Sequence, residues 1–194
     1  MSKIIFLIGK AGSGKDTVAK LFADDGYKRL AFADALKKDY YSEFCVNYCS
    51  DTEDRDFKEK HRQGLINYGE HMRNTQGKSY WIKEAFKNYD GEDLIITDVR
   101  RDSEVSFIKL LKVSLSRVFF YYIDRHVEDN DGLTLLSIKE SRSLIDGIID
   151  NNGNLKQLKE NVKQVSRQIE RRARRKSENR AGSKATVLDV LREL

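Results

Sequence analysis

The chain has 194 residues, 39% hydrophobic and 35% charged, with no proline and a formal net charge of +5. That length and charge density fit one globular, soluble domain with a core of ordinary size. The excess charge is local: residues 164–194 hold nine Lys/Arg against four Asp/Glu, so the preceding body is neutral and offers no electrostatic reason to bind nucleic acid.

The apolar opening run at 4–8 is too short for a signal peptide or a membrane span, which leads to the expectation of a cytoplasmic protein without a membrane partner. Cys45 and Cys49 are the two cysteines. Four positions apart, they suit packing or a metal site on one helix face, and they do not make a disulfide framework.

In chain order, Ile4 to Ile8 is a continuous apolar run closed by Gly9, the pattern of a strand buried on both faces. From Lys15 the residues Val18, Leu21 and Phe22 recur at helical spacing up to Gly26. Residues 27–32 read as a short strand. Asp34 reads as the N-cap of a helix carrying Leu36, Tyr40, Tyr41 and Phe44. Residues 50–64 are almost wholly polar, either a solvated helix or a flap. Residues 65–90 read as helical, with Trp81, Ile82, Ala85, Phe86 and Tyr89 on one stripe.

Residues 94–97 form a second buried strand ending at Asp98. A helix is expected over 103–112, a strand over 117–123, a helix over 133–143 and a last strand over 144–149. Asn151-Asn152-Gly153 is a turn signal. A long helix runs from Leu155 to about 176 and ends in Arg171-Arg172-Ala173-Arg174-Arg175-Lys176, cations that suit a helix C-terminus. A linker and a short helix over 186–194 close the chain. Strands alternating with helices imply an α/β fold on a mainly parallel sheet, in three layers, with a helical insertion over about 35–90. The domain expectation is a kinase body over 1–164 and a basic helical tail over 165–194.

The strongest signal is Gly9-Lys10-Ala11-Gly12-Ser13-Gly14-Lys15-Asp16-Thr17, between a buried strand and a helix. Glycines let main-chain N–H groups turn inward around an anion. The helix N-terminus adds positive potential, and Lys15 supplies a cation for the β- and γ-phosphates. The strict pattern has Ser or Thr directly after the lysine. Here Asp16 stands there and Thr17 follows, so the hydroxyl that would meet Mg²⁺ is displaced by one. Asp16 can orient Mg²⁺ through water or approach the acceptor, and it is equally an acid suited to a first helical turn.

Asp98, at a strand end, can hold Mg²⁺ directly or through water. Arg100, two positions on, shares that rim, and Asp98 can also cap the helix that follows. Arg125, after the third strand, is a candidate to offset charge on the transferring phosphoryl group. Arg73 can capture a monophosphate in bidentate fashion. Trp81 can stack a base, although its stripe also suits a core position. His61, His71 and His126 show no metal spacing.

These residues together resemble the bacteriophage deoxynucleoside monophosphate kinases, a branch of the P-loop fold, over residues 3 to about 160. The resemblance rests on Gly-Ser-Gly-Lys-Asp-Thr at 12–17, Phe32-Ala33-Asp34-Ala35-Leu36-Lys37, and Arg62-Gln63 through Gly69-Glu70 and Arg73 to Trp81. It rests also on Thr97-Asp98-Val99-Arg100 with Glu104, and on Asn151-Asn152-Gly153 with Leu155 and Leu158. It implies that ATP is held by Gly9, Ala11, Gly12, Ser13, Gly14, Lys15, Asp16 and Thr17. It implies that Asp34, Lys37, Arg73 and Arg100 face the acceptor, joined by Trp81 and Asp98, with an arginine near Arg125 closing over the phosphates.

The expected reaction is γ-phosphoryl transfer from ATP, with Mg²⁺ near Thr17 and Asp98, to a deoxynucleoside monophosphate, in the host cytoplasm if the chain is of phage origin. Lys15, Asp16 and Arg125 are its catalytic candidates. The expected partners are small-molecule nucleotides. A homodimer, and nucleic acid bound through the tail, stay open. The alternatives are a kinase of the dephospho-coenzyme A or phosphomevalonate type, and a nucleotide-binding module that uses its basic tail on nucleic acid.

Overall fold

A computed structural model of the protein describes residues 2–44, 55–127, 142–179 and 185–194. Cys45, Cys49 and most of the helix expected over 133–143 lie outside the described residues.

Five parallel strands form one sheet in the order β2-β3-β1-β4-β5: β1 Ile4–Ile8, β2 Lys28–Leu30, β3 Leu94–Ile96, β4 Val118–Asp124 and β5 Gly147–Asp150. The central strand β1 pairs with β3 through Ile4–Leu94 and with β4 through Ile4–Val118. Its five residues are all buried, as a strand covered on both faces requires. At one edge, β2 is Lys-Arg-Leu with both cations exposed, which discourages pairing with another chain. The strand expected over 27–32 is shorter because Phe32 already starts a helix, and the one expected over 144–149 is delayed because Arg142–Leu144 is a single 3-10 turn.

Helices cover both faces. On one, α1 (Lys15–Ala23) and α6 (Leu155–Asn179) bury Val18, Phe22, Leu158, Val162, Val165 and Ile169 against Ile5, Leu7, Phe119 and Tyr121. On the other, α5 (Asp102–Ser114) buries Phe107, whose ring lies edge-on to Phe6 at 6.4 Å, and Phe6 meets Phe120 in the same way. The short α7 (Val187–Arg192) packs on α5. This is a three-layer α/β P-loop fold.

Lys3 ties the start of β1 to α6. Its ammonium meets Asp93 at 2.9 Å and also Glu170, and it lies 5.3 Å from the centre of the Tyr27 ring. Burial alone would lower the Lys3 pKa, but the bonds to Glu170 and Asp93 outweigh it and raise the value.

Residues 31–88 form a separate compact unit of three helices: α2 Phe32–Phe44, α3 Arg55–Gln76 and α4 Tyr80–Phe86. Two expectations are corrected here, for Asp34 and for residues 65–90, and one open alternative, for residues 50–64, is decided from Arg55 onward. Asp34 is not an N-cap, because α2 begins at Phe32 and puts Asp34 in its first turn, where its charge still complements the helix dipole. Of the polar stretch 50–64, residues from Arg55 onward are helical. Residues 65–90 are not one helix. Gly77, at φ 103°, leaves the right-handed path and donates its N–H to Arg73 O at 3.1 Å, so the chain stops at Gln76 and restarts at Tyr80. Tyr89 lies beyond α4, and its hydroxyl bonds Ser2 Oγ at 2.5 Å.

Candidate active site

In a parallel sheet the carboxyl ends of all strands share one edge, and ligands bind where the strand order reverses. Here β1 lies between β3 and β4, so the loops after all three meet at that edge.

The loop after β1 is the glycine-rich segment. Gly12 and Gly14 have φ 74° and 94°, a region that side chains resist. A Cβ on Gly14 would stand 2.3 Å from Asn151 Nδ2, so the position needs glycine for space as well as for conformation. The turn is closed by Ser13 N–H donating to Lys10 O at 3.1 Å, and α1 opens with Val18 N–H donating to Gly14 O at 3.0 Å. Lys15 Nζ donates to Gly9 O at 2.7 Å and Lys10 O at 2.8 Å, so its ammonium spans the mouth of the loop.

This loop offers an anion main-chain N–H groups, the N-terminus of a nine-residue helix and a cation, with no Cβ on either key glycine. The donor set fits a polyphosphate. For Mg²⁺ the chain offers oxygen donors, the exposed Thr17 hydroxyl and the half-buried Asp98 carboxylate. No cluster of three or more metal-binding side chains exists among the described residues. Such a sparse oxygen set suits Mg²⁺, which keeps several waters and leans on substrate phosphates.

Asp16 lies beside Arg29 of β2, with Oδ1 3.3 Å from Arg29 Nε. The carboxylate one position after the lysine is therefore drawn toward an arginine at the sheet edge. Both side chains are largely exposed, and the pair adds at most about 1 kcal/mol of stability.

Arg125 follows β4 directly, and its Nη1 donates to Gly12 O at 3.3 Å. Lys10 Nζ reaches Val127 O at 3.3 Å. Two bonds thus lash the segment after β4 to the glycine-rich loop. At the end of β3, Thr97 and Val99 are buried, Asp98 is half-buried and Arg100 is exposed. The buried Glu104 accepts from the N–H groups of Arg100 at 2.6 Å and Arg101 at 3.0 Å, holding that backbone at the rim.

The residues that sequence reasoning undervalued are Asn151 and Asn152. Asn151, 9% exposed, donates Nδ2–H to Ser13 O at 2.7 Å, and its main-chain N–H donates to Asp124 O at 2.8 Å. Asn152 accepts from His126 N–H at 2.7 Å. Its main-chain and side-chain N–H groups hold the Asp150 carboxyl below the usual carboxylate range. Together they brace the loops after β4 and β5 against the glycine-rich loop. In sequence they carry only a turn signal, since nothing local reveals that Ser13, 138 residues away, is a partner of Asn151 or that Asn152 reaches His126, 26 residues away.

The helical unit, taken by itself, holds the other expected residues. Arg73 has a side chain only 15% exposed and pairs with Glu70 at 3.3 Å. Lys37 and Asp34 are 3.9 Å apart on one turn of α2. Trp81 is 3% exposed, and its indole N–H donates to Gly69 O at 3.1 Å, which makes it a core residue fixing α3 to α4. A stacking role for Trp81 is thereby overturned. Phe44, Tyr40 and Tyr68 are among the rings that remain partly open, with Phe44 5.0 Å from Tyr40 and 5.4 Å from Tyr68. Tyr68 O–H donates to Asp39 at 2.8 Å, and burial together with that bond pushes its pKa up to about 12.

Against known proteins, residues 7–113 match the family model described as phosphomevalonate kinase. The chain is 28% identical over 108 residues to a UPF0200 protein of Sulfurisphaera tokodaii. That match covers 55% of this chain and 52% of the relative, so the chain spans about half the length of the curated relative it matches. A dephospho-CoA kinase from Campylobacter jejuni superimposes with a TM-score of 0.51 at 13% identity, over 88% of this chain and 98% of that one, a likeness of fold.

Proposed function

The chain belongs to the phosphomevalonate kinase family of small-molecule P-loop kinases, and from that premise we propose that it transfers the γ-phosphoryl group of ATP to a deoxynucleoside monophosphate. The observation that carries the acceptor assignment lies in the helical unit. A mostly covered guanidinium, Arg73, is built into the same small body as three partly open aromatic rings, Tyr40, Phe44 and Tyr68. A planar cation suits a monophosphate, and stacked rings suit a base. A nucleotide has both parts, whereas an aliphatic phosphate would leave the rings without a purpose.

In this reading the loop amides from Gly9 to Gly14, with Ala11 and Ser13, cradle the triphosphate, and Lys15 turns from Gly9 O and Lys10 O toward the β- and γ-phosphates. Mg²⁺, held through Thr17 and Asp98, would supply charge neutralisation at the phosphates. Asp16, turned toward Arg29, keeps a second carboxylate at the rim. Arg73, with Lys37 and Asp34 on α2, holds the acceptor, and Arg100 guides its phosphate. Arg125, already leaning on the loop through Gly12, offsets the charge that spreads over the equatorial oxygens. An acceptor phosphate oxygen is ionised at neutral pH, so no general base is needed. It bonds to the γ-phosphorus as the bridge to the β-phosphate breaks and ADP leaves.

A second reading follows from the family match itself: the acceptor is phosphomevalonate. A coupled ADP-release assay with Mg-ATP and each of the four deoxynucleoside monophosphates, phosphomevalonate and dephospho-coenzyme A decides between them. Turnover with at least one deoxynucleotide, and an Arg73→Ala variant whose KM for it rises at least tenfold with kcat little changed, supports the reading. Turnover confined to a non-nucleotide acceptor refutes it.

A further inference from the structure

The cations of α6 fall into a pattern that the kinase reading leaves unused. The buried face of the helix is Leu158, Val162, Val165, Ile169 and Ala173. On the opposite face Lys156, Lys159, Lys163, Arg167, Arg171, Arg174 and Arg175 are all exposed. From Lys156 to Arg174 their spacing follows steps of three and four residues, the period that keeps side chains on one line of a helix, and Arg175, four after Arg171, widens the line at its end. Glu160 is the one acid among them. Glu170, at the border, is already taken by Lys3. Among the described residues none of the seven cations is drawn into an ion pair. A helix of ordinary solvated character alternates its charges to gain i,i+4 pairs, whereas this face stacks like charges at a cost.

The stripe is about 28 Å long at 1.5 Å per residue, the length of about eight base pairs of duplex at 3.4 Å each. We propose that this face of α6 is a docking surface for the phosphate backbone of a nucleic-acid duplex. The residue types select among polyanions. The helix contains no aromatic residue, so it cannot serve as a stacking platform for single strands. Its apolar face is spent on the sheet core, so it has no side to bury in a lipid surface. What remains is a rigid line of positive charge without base-reading side chains, which recognises regular phosphates and not sequence.

The test is fluorescence anisotropy of the full chain with 24-base-pair DNA and RNA duplexes of one sequence, from 25 to 200 mM salt. Each phosphate contact contributes about 0.9 to the slope of log K against log salt. Expected is binding at low salt with a slope of magnitude 4 or more. The triple variant K163Q/R167Q/R171Q should lower that slope by about 3. The triple variant K20Q/K60Q/K109Q, which removes equal charge from exposed positions elsewhere, should leave it nearly unchanged. Comparing the two duplexes assigns the backbone as DNA, RNA or either. No binding at 25 mM salt overturns the proposal, as does an equal loss in both triple variants, or tighter binding to phosphatidylserine vesicles or single strands than to either duplex. Matching far-UV dichroism and melting temperatures of the variants exclude unfolding as the cause of any loss.

Discussion

Asn151 Nδ2 donates to Ser13 O at 2.7 Å across 138 positions of sequence, and the pair is buried. The crest of the glycine-rich loop is therefore held from outside by the turn after β5. A loop that must receive a polyphosphate without rearranging gains from being fixed in advance.

That bond makes a prediction about two residues. In Asn151→Ala, Ser13 O loses its buried partner, at a cost of about 1–3 kcal/mol. In Gly14→Ala a side chain enters a left-handed position, costing about 1–3 kcal/mol, and collides with Asn151 as well. Chemical denaturation should show both losses. Affinity for ATP should fall more in Gly14→Ala, because that change deforms the cradle itself.

Lys15→Ala removes the ammonium that spans the loop mouth. Turnover of ATP should fall by about 10²–10³-fold, the scale for one charge-stabilising group. The melting temperature should barely move, because the bonds lost lie within one surface loop. Steady-state ADP release and a thermal melt on the same preparation check both parts.

Phe107 is fully buried and meets Phe6 edge-on at the centre of the α5 face. Phe107→Ala should cost about 3–5 kcal/mol, through lost transfer energy and the cavity left behind. A loss below 1 kcal/mol in urea would show that this face of the sheet is not the packed core described.

Tyr27 and Tyr121 have buried hydroxyls without a hydrogen-bond partner among the described residues. Burial raises both pKa values to about 12, against the lowering effect of Lys3 on Tyr27 and of Arg172 on Tyr121. A pKa higher in the folded than in the unfolded chain contributes stability that is complete below pH 10 and is lost as pH climbs toward 12. The chain should therefore unfold in that alkaline window, with tyrosinate absorbance rising as far-UV dichroism falls. The double variant Tyr27→Phe/Tyr121→Phe should resist this unfolding to higher pH. At pH 7 it should lie within about 1 kcal/mol of the wild type, because no made bond is removed.

The glycine-rich loop was legible in sequence because everything it needs is contiguous: an apolar strand, three glycines, a lysine and an amphipathic helix within twenty residues. The parallel sheet was legible for the same reason, since a fully buried strand such as β1 or β3 leaves an uninterrupted apolar run. The break at Gly77 was missed because Trp81, Ile82 and Phe86 continue the helical apolar period across it, while φ 103° at one glycine leaves no mark on that period.

Trp81 shows the limit from the other side. A stripe position and a stacking position look alike until the indole N–H is seen donating to Gly69 O.

By itself the sequence determined the local chemistry: which segment can hold a polyphosphate, where the strands run, and the line of cations along α6. Only the tertiary structure decided that Arg125 and Asn151 reach the glycine-rich loop and that Trp81 is core. The physical reason is the sheet. Five parallel strands deliver the ends of distant segments to one edge, and hydrogen bonds made there depend on that register and not on any neighbouring residue.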